Sequence, residues 1–171
     1  MLLPNIYQKD IFTIDYQKLK KIGIKCLIFD LDNTLALISE KECPNNIKKL
    51  ITKLKKDFKV LIISNNFENR LIPYSKALQI DYISLALKPL PIGLIKLKNK
   101  YHIKKKEMIM IGDQLVTDVF SGKLFGIKTA LVEPLSLKDL KITGFNRYLE
   151  NIILNKYEKQ GKFKKGVYYN E

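Results

Sequence analysis

Four carboxylates in this sequence follow apolar runs at a spacing that suits metal-assisted phosphate chemistry. Asp30 and Asp32 stand two residues apart, directly after the apolar run Cys26–Phe29. Like charges this close disfavour each other's ionised form unless a cation joins them. Asp113 and Asp118 follow a second apolar run and add two more acids. Mg²⁺ accepts a few carboxylate oxygens and keeps positions open for water and phosphate, so the four acids predict a magnesium site.

Three further polar residues also come after apolar runs. Ser64 and Asn65 follow Val60–Ile63, where a hydroxyl and free backbone N–H groups at a helix start can bind an anion. Lys88 follows Tyr82–Leu87, and a lysine that faces carboxylates can neutralise a phosphate group. Each signal is weak alone, because Ser and Asn are ordinary helix caps. Beside the acids, the three residues predict a phosphate-binding group.

Short apolar runs alternate with helical patterns along the chain. The expected strands are Cys26–Phe29, Val60–Ile63, Tyr82–Leu87, Met108–Ile111 and Thr129–Val132. Continuous runs of this length are typical of strands buried on both faces, and helices between them indicate a mainly parallel sheet in an α/β fold. Ligands bind at the carboxyl ends of the strands in such sheets. We therefore expect Asp30, Ser64, Lys88 and Asp113 to converge at one edge of the sheet.

Composition sets broad limits. The chain has 171 residues, which is the length of about one domain, and a formal net charge of +14. That charge would suit a phosphorylated substrate, a nucleic acid or an anionic membrane surface, although the lysines are spread along the chain. Two cysteines, Cys26 and Cys43, make neither a disulfide framework nor a zinc cluster. With no signal peptide pattern and no transmembrane run, we expect a cytoplasmic protein, peripheral at most on a membrane.

The motif Asp30-x-Asp32-x-Thr34, followed by Ser64, Lys88 and Gly112-Asp113 with Asp118, resembles the four ordered motifs of the haloacid dehalogenase (HAD) superfamily. The flanks are similar to the YqeG branch of its subclass IIIA, which is related to mitochondrial phosphatidylglycerophosphate phosphatases. The segments that carry this second resemblance are Leu3-Pro4, Gly23-Ile24-Lys25, Asp32–Leu35 and Thr143–Glu150. It covers nearly the whole chain except the basic tail.

The resemblance implies a role for each motif residue. Asp30 would attack phosphorus and form an aspartyl-phosphate, and Asp32 would act as general acid and then as general base. Ser64 and Lys88 would hold the phosphoryl oxygens. The implied Mg²⁺ ligands are the Asp30 carboxylate, the Asp32 backbone carbonyl and Asp113, with Asp118 in support. The chain would thus be a Mg²⁺-dependent phosphoric monoester hydrolase.

The resemblance also implies a Rossmann-like three-layer α/β/α fold, and the short gaps after Leu35 and after Asn66 leave no room for a cap domain. We expect one domain over 1–155 and a basic, flexible tail over 156–171. An open site suggests a large phosphorylated substrate, such as a lipid headgroup, a protein or a nucleic-acid end, or a second subunit of a homo-oligomer that closes the site.

Two other interpretations stay open. The chain could be a Mg²⁺-gated, non-catalytic binding module, or an RNA- or ribosome-associated factor that retains the HAD fold, as the charge of +14 would allow. Within the enzyme interpretation, phosphatidylglycerophosphate and a soluble phosphomonoester compete as substrates. We interpret Asn146-Arg147 as a structural anchor rather than a substrate contact, and His102 as a helix-end residue.

Overall fold

Seven strands form one sheet in the computed structural model, which describes residues 2–136 and 141–170, with the backbone alone at 141–145 and 147. The strands are β1 (Ile6–Gln8), β2 (Cys26–Phe29), β3 (Lys59–Ile63), β4 (Asp81–Ile83), β5 (Met108–Gly112), β6 (Lys128–Val132) and β7 (Tyr169–Asn170). The helices are α1 (Tyr16–Lys21), α2 (Asn45–Leu54), α3 (Glu68–Leu78), α4 (Ile92–Tyr101), α5 (Phe120–Phe125) and α6 (Lys141–Lys159). A π-helical turn, Leu115–Val119, leads into α5.

The sheet has the strand order β4-β3-β2-β5-β6-β1-β7, and all pairings are parallel except that of β1 with β7. Strand β2 has β3 on one side and β5 on the other, so the order reverses between β2 and β5. A crevice opens at such a reversal, outside the carboxyl ends of the strands. Phe29 pairs with Ile62 and with Ile111, which aligns the ends of these three central strands.

Helices cover both faces of the sheet because successive strand residues point to opposite sides. Leu27 and Phe29 of β2 belong to the core that includes side chains of α1, α2 and α3. Cys26 and Ile28 belong to the core under α4 and α5. The predicted three-layer α/β/α arrangement is confirmed, and it makes the central strands a rigid base for the residues that follow them.

Two stretches of the chain are the places where we considered a cap domain. A loop and α2 fill the stretch from Leu35 to β3, and α3, β4 and a loop fill the stretch from Ser64 to Lys88. Both stretches lie entirely within the described residues. Within these two described stretches, no additional domain is inserted over the carboxyl edge of the sheet.

The segment Tyr82–Leu87 differs from the expected strand. Strand β4 ends at Ile83, and Leu85 and Leu87 adopt positive φ angles of 45° and 58°. A residue in the left-handed region cannot continue a strand, because strand φ angles are strongly negative. Lys88 therefore lies in a loop, five residues beyond the end of β4, and not directly at a strand end.

The carboxyl-terminal segment packs against the domain, unlike the flexible tail expected over 156–171. Helix α6 continues to Lys159, past the expected boundary. Phe163 is buried with its ring 4.7 Å from that of Tyr7, and β7 pairs with β1. Aromatic burial thus outweighs the solvation of the tail lysines. Within the described ranges, no helix has the length and apolar character needed to span a membrane.

Candidate active site

Three buried aspartates meet at the reversal of the strand order. Asp30 directly follows β2, Asp113 directly follows β5, and Asp118 lies in the π-helical turn. One carboxylate oxygen of each lies within 4.8 Å of those of the other two. Their side chains are almost fully buried. The predicted convergence of these residues is confirmed, whereas their chemical roles stay predictions.

Lys88 lies within the same cluster. Its Nζ donates hydrogen bonds of 2.6 Å to Asp30 Oδ1 and 2.6 Å to Asp118 Oδ1. The Asn65 side chain holds the loop that carries it: the Lys88 backbone N–H donates to Asn65 Oδ1 at 2.7 Å, and Asn65 Nδ2 donates to the Lys88 carbonyl at 2.8 Å. We predicted that Asn65 binds phosphate. Its side-chain amide instead forms hydrogen bonds with the Lys88 backbone and so positions Lys88.

The charges of this cluster do not balance. When all three carboxylates are ionised, they and the ammonium leave two negative charges, which one divalent cation would balance. Burial raises the pKa of Asp30 well above its ordinary value, Lys88 opposes the rise, and the carboxylates of Asp118 and Asp113 add to it. Hard oxygen ligands and a charge of minus two suit Mg²⁺. Asp30, Asp113 and Asp118 therefore fit a magnesium site.

The turn after β5 places Asp118 against the strand end. A Cβ atom at Gly112 would lie only 2.2 Å from Asp118 Oδ2, so the approach requires glycine. The Gln114 backbone N–H donates to Asp118 Oδ2 at 3.1 Å. Thr34 Oγ1 donates to Asp113 Oδ1 at 3.1 Å, which links the loop after β2 to the turn after β5.

The carboxylate of Asp32 points elsewhere. Arg70 Nε and Nη2 donate to Asp32 Oδ1 at 2.9 and 2.8 Å, and Asn66 Nδ2 donates to Asp32 Oδ2 at 2.5 Å. Arg70 also donates to the backbone carbonyls of Leu37 and Glu40. The guanidinium therefore joins the Asp32 carboxylate to the loop that follows it. The predicted contact of Asp32 with metal concerns its backbone carbonyl, which this arrangement leaves as a prediction.

An open pocket of about 320 Å³ lies over the cluster. Asp30, Asp32, Ser64 and Lys88 contribute to its walls, so the predicted nucleophile, proton-transfer residue and phosphate ligands share one cavity. Ser64 is buried, and its Oγ accepts a hydrogen bond from the Asn66 backbone N–H at 3.1 Å. The cavity is large enough for a phosphate group and part of what it is attached to.

Helix α6 also reaches this pocket. Asn146 lines it, so a substrate contact stays open beside the structural anchor that we expected. The side chain of Arg147, the other half of that pair, lies outside the described residues. His102 ends α4 in a left-handed conformation, in agreement with its prediction as a helix-end residue.

Sequence reasoning missed Arg70 and did not assign Asn66 a role. A signal for Arg70 was present: of the 31 lysines and arginines in the chain, only Arg70 and Arg147 are arginines. Arginine is favoured where a planar fork must bind a carboxylate from two sides, and lysine does not replace it there. A rare arginine six residues after Ser64 could have been recognised as a partner for a carboxylate.

Comparisons with known proteins agree with this fold and identify its family. A family model described as HAD-hydrolase-like matches residues 86–134, and one described as mitochondrial PGP phosphatase matches residues 1–79. The fold and site therefore define a HAD-type hydrolase. A solved structure of an uncharacterized protein from Listeria monocytogenes serotype 4b superposes with a TM-score of 0.54 at 16% identity, covering 78% of this chain and 99% of that one. This likeness concerns the fold alone.

Relatives identify the family more closely. The probable phosphatase YqeG of Bacillus subtilis is 39% identical over 163 residues, which cover 93% of each chain. This chain belongs to the family of that protein, a branch of the HAD-type phosphoric monoester hydrolases. Phosphatidylglycerophosphate phosphatases 1 of Chlamydomonas reinhardtii and Arabidopsis thaliana are each 29% identical, covering 80% and 94% of this chain. The chain spans about half the length of these two plastid and mitochondrial proteins, 54% and 49%.

Proposed function

We propose that the chain hydrolyses phosphate monoesters in the presence of Mg²⁺, with the Asp30 carboxylate as nucleophile. The observation that carries this proposal is the buried cluster of Asp30, Asp113, Asp118 and Lys88, with its two unbalanced negative charges at the base of an open pocket. Placing this much negative charge in the interior without a cation would be costly. A surface or capping role explains none of these features.

The residues divide the chemistry between them. In the first step an Asp30 oxygen bonds to phosphorus, the bond to the leaving oxygen breaks, and Asp32 protonates that oxygen. In the second step Asp32 takes a proton from water, which then displaces the phosphate from Asp30. Splitting one displacement into two lowers the barrier of each.

Mg²⁺ held by Asp30 and Asp113, with Asp118 behind them, would neutralise negative charge on the transferring phosphoryl group. Lys88 adds a fixed positive charge beside Asp30. The ion pairs with Asp118 and Asp30 keep this lysine charged, because the two carboxylates raise its pKa although burial lowers it. Ser64 lines the same pocket and can donate to a phosphoryl oxygen.

We propose a lipid-linked phosphate, of the phosphatidylglycerophosphate type, as the substrate. Support comes from the relatives that are named for that substrate and from the family model described as mitochondrial PGP phosphatase. The absence of a cap between Leu35 and Lys88, all of which the structure describes, leaves the pocket accessible to the headgroup of a molecule that stays in a bilayer.

Hydrolysis of p-nitrophenyl phosphate with Mg²⁺ or with EDTA tests the activity. We expect turnover that needs Mg²⁺ and falls by more than about a thousandfold in Asp30→Asn, because the amide cannot attack phosphorus. Asp57→Asn is the matched control, since Asp57 forms an ion pair with Lys20 on the surface and should leave turnover unchanged. Turnover that survives in Asp30→Asn would refute the assigned nucleophile.

The substrate class needs a second assay. Phosphatidylglycerophosphate in detergent micelles and glycerol phosphate in solution present the same kind of ester with and without acyl chains. We expect a higher kcat/KM for the lipid. An equal or lower kcat/KM for the lipid would refute the proposed lipid substrate. Activity on the soluble ester would in that case still support phosphate monoester hydrolysis.

A further inference from the structure

An exposed apolar surface adjoins the candidate active site. Its members are large aliphatic or aromatic side chains that are between 37% and 55% exposed. They are Leu85, Leu87, Leu90, Ile95, Phe120 and Leu124. Single exposed apolar residues are ordinary, but a set gathered on one part of a molecule indicates an interaction site. We call this set the apolar surface.

Contacts place the elements that carry these side chains next to one another. The Leu90 backbone N–H donates to the Leu87 carbonyl at 2.9 Å, and Ser121 Oγ donates to the Leu90 carbonyl at 3.4 Å. Ser121 stands next to Phe120 at the start of α5, and α5 packs against α4, which carries Ile95. The loop after β4, α4 and α5, which carry the six exposed side chains, are therefore neighbours in the fold.

The same surface borders the pocket. Leu87 directly precedes Lys88, whose Nζ reaches Asp30. The Leu85 backbone N–H donates to the carbonyl of Asn66, which lines the pocket. Leu85 and Leu87 are exposed although their positive φ angles are unfavourable for side chains of this kind. Unfavourable backbone geometry that is retained at a site is typical of functional loops.

The two segments that carry the apolar surface contain basic residues and no acidic ones. The segments 84–106 and 119–132, which supply all six of its members, contain nine lysines and no Asp or Glu. Lys96 and Lys100 of α4 are exposed, and so are Lys104, Lys105 and Lys106 beyond it. An apolar surface fringed by lysines matches the interface of an anionic bilayer, where apolar groups insert and lysines meet lipid headgroups.

We propose that the apolar surface docks the protein on an anionic phospholipid bilayer, with the pocket opening towards the headgroups. This inference rests on the proposed lipid-linked substrate and names the surface that would meet it. A second copy of the chain is a poorer partner, because two molecules of charge +14 repel each other.

Vesicle flotation tests the docking surface with two charge-matched double variants of the full chain. Ile95→Glu/Leu124→Glu changes the apolar surface at helical positions outside the catalytic cluster. Ile22→Glu/Ile152→Glu changes two residues that are exposed to a similar degree, 44% and 49%, but lie on other elements, at the end of α1 and on α6. Circular dichroism and p-nitrophenyl phosphate hydrolysis report whether each variant folds and keeps its basal activity.

Wild type should float with vesicles of phosphatidylcholine and phosphatidylglycerol, less so at high salt, and poorly with phosphatidylcholine alone. The surface variant should bind more than about tenfold more weakly than the control variant, because two glutamates would face anionic lipid. Both variants should hydrolyse p-nitrophenyl phosphate as wild type does, while only the surface variant should lose activity on vesicle-borne substrate.

Three results would overturn the docking surface: no flotation of an active wild type, equal flotation of the two variants, or binding of RNA or a second copy through this surface without vesicle binding. Sedimentation velocity and an RNA titration separate the last cases. Flotation that needs the apolar surface, by a protein that hydrolyses no phosphate ester, would instead refute the proposed function and leave the docking surface standing.

Discussion

At the scale of single residues, the two carboxylates of the Asp30-x-Asp32 motif have different environments. Asp30 is buried among acids and Lys88, whereas Asp32 meets the guanidinium of Arg70 and the amide of Asn66. A nucleophile must stay next to the metal ligands, while a proton-transfer group must reach the leaving oxygen from the pocket wall. Arg70 fixes the position of the Asp32 carboxylate, since it joins Asp32 to the backbone of the loop that follows it.

Arg70→Ala should therefore impair proton transfer more than phosphoryl transfer. We expect kcat to fall by about tenfold to a hundredfold for an alkyl phosphate, whose leaving group needs a proton, because small misplacements of a catalytic group cost that much. The loss for p-nitrophenyl phosphate should be smaller, because nitrophenolate leaves without protonation. Steady-state kinetics on both esters measures the ratio.

Tyr74→Phe provides the control for that experiment. The Tyr74 hydroxyl donates to the carbonyls of Glu40 and Glu42, and its ring lies 5.0 Å from the Arg70 guanidinium. Phenylalanine loosens the same loop, keeps the ring beside Arg70 and leaves the hydrogen bonds from Arg70 to Asp32 in place. The ratio of the two activities should stay at the wild-type value in Tyr74→Phe. If the ratio of the activities on the two esters is also unchanged in Arg70→Ala, then Arg70 has only a structural role.

At the scale of elements, the turn after β5 sets the geometry of the acidic cluster. The π-helical turn Leu115–Val119 brings Asp118 back over Gly112, close enough that even a methyl group would collide. Asp118 in turn holds Lys88, which arrives from the loop after β4. One glycine thus controls how two separate loops meet.

Gly112→Ala should displace Asp118 and weaken metal binding. We expect a loss of roughly 1–3 kcal/mol in stability from the forced shift, together with loss of activity and of stabilisation by Mg²⁺. Gly122→Ala is a matched control, because its Cβ would lie 2.4 Å from Thr129 Cγ2, away from the acids. Thermal unfolding with and without Mg²⁺ separates the two: retained stabilisation by Mg²⁺ in Gly112→Ala would contradict the assigned turn.

The elements differ in how far the sequence predicts them. The central strands β2, β3 and β5 are buried on both faces. Their continuous apolar runs, and the acids that follow β2 and β5, can therefore be recognised in the sequence. The run that ends at Leu87 follows the same pattern, yet its last residues leave the sheet as an exposed loop. From composition alone, apolar residues that are exposed in a loop cannot be distinguished from apolar residues of a buried strand.

Strands β1 and β7 escaped prediction for another reason. They contain three and two residues, too few for a periodic signal. They form by pairing between the two ends of the chain, with the aromatic rings of Tyr7 and Phe163 in contact. Such long-range pairing has no local signature. The same holds for the contact between Arg70 and Asp32, which are far apart in sequence and meet only in the fold.

At the scale of the whole molecule, the sign of the charge changes from surface to site. The chain carries +14, while the buried cluster, with its three carboxylates ionised, carries two excess negative charges. A positive field of this kind attracts anionic substrates and surfaces, and under the proposed function the cluster must bind a cation within that field. Folding without a cation must bring the three carboxylates together at a cost, so the metal should contribute to the stability of the entire domain.

Thermal unfolding with increasing Mg²⁺ tests this coupling. A ligand that binds only the folded state adds about 2.7 kcal/mol at one hundred times its dissociation constant. For a domain of this size that corresponds to a rise of about 5–10 °C in Tm. In Asp113→Asn the rise should shrink. The metal-free Tm should not fall with it, since one of three mutually repelling carboxylates is gone and Thr34 can still donate to the amide oxygen.

These opposite expectations distinguish a metal site from ordinary packing. If Asp113 only supported the fold, Asn would lower the metal-free Tm and leave the response to Mg²⁺ unchanged. Asp57→Asn, at a surface ion pair, should alter neither quantity by much. A wild-type Tm that does not respond to millimolar Mg²⁺ would mean that the four buried groups compensate one another without a cation, and the proposed chemistry at Asp30 would lose its physical basis.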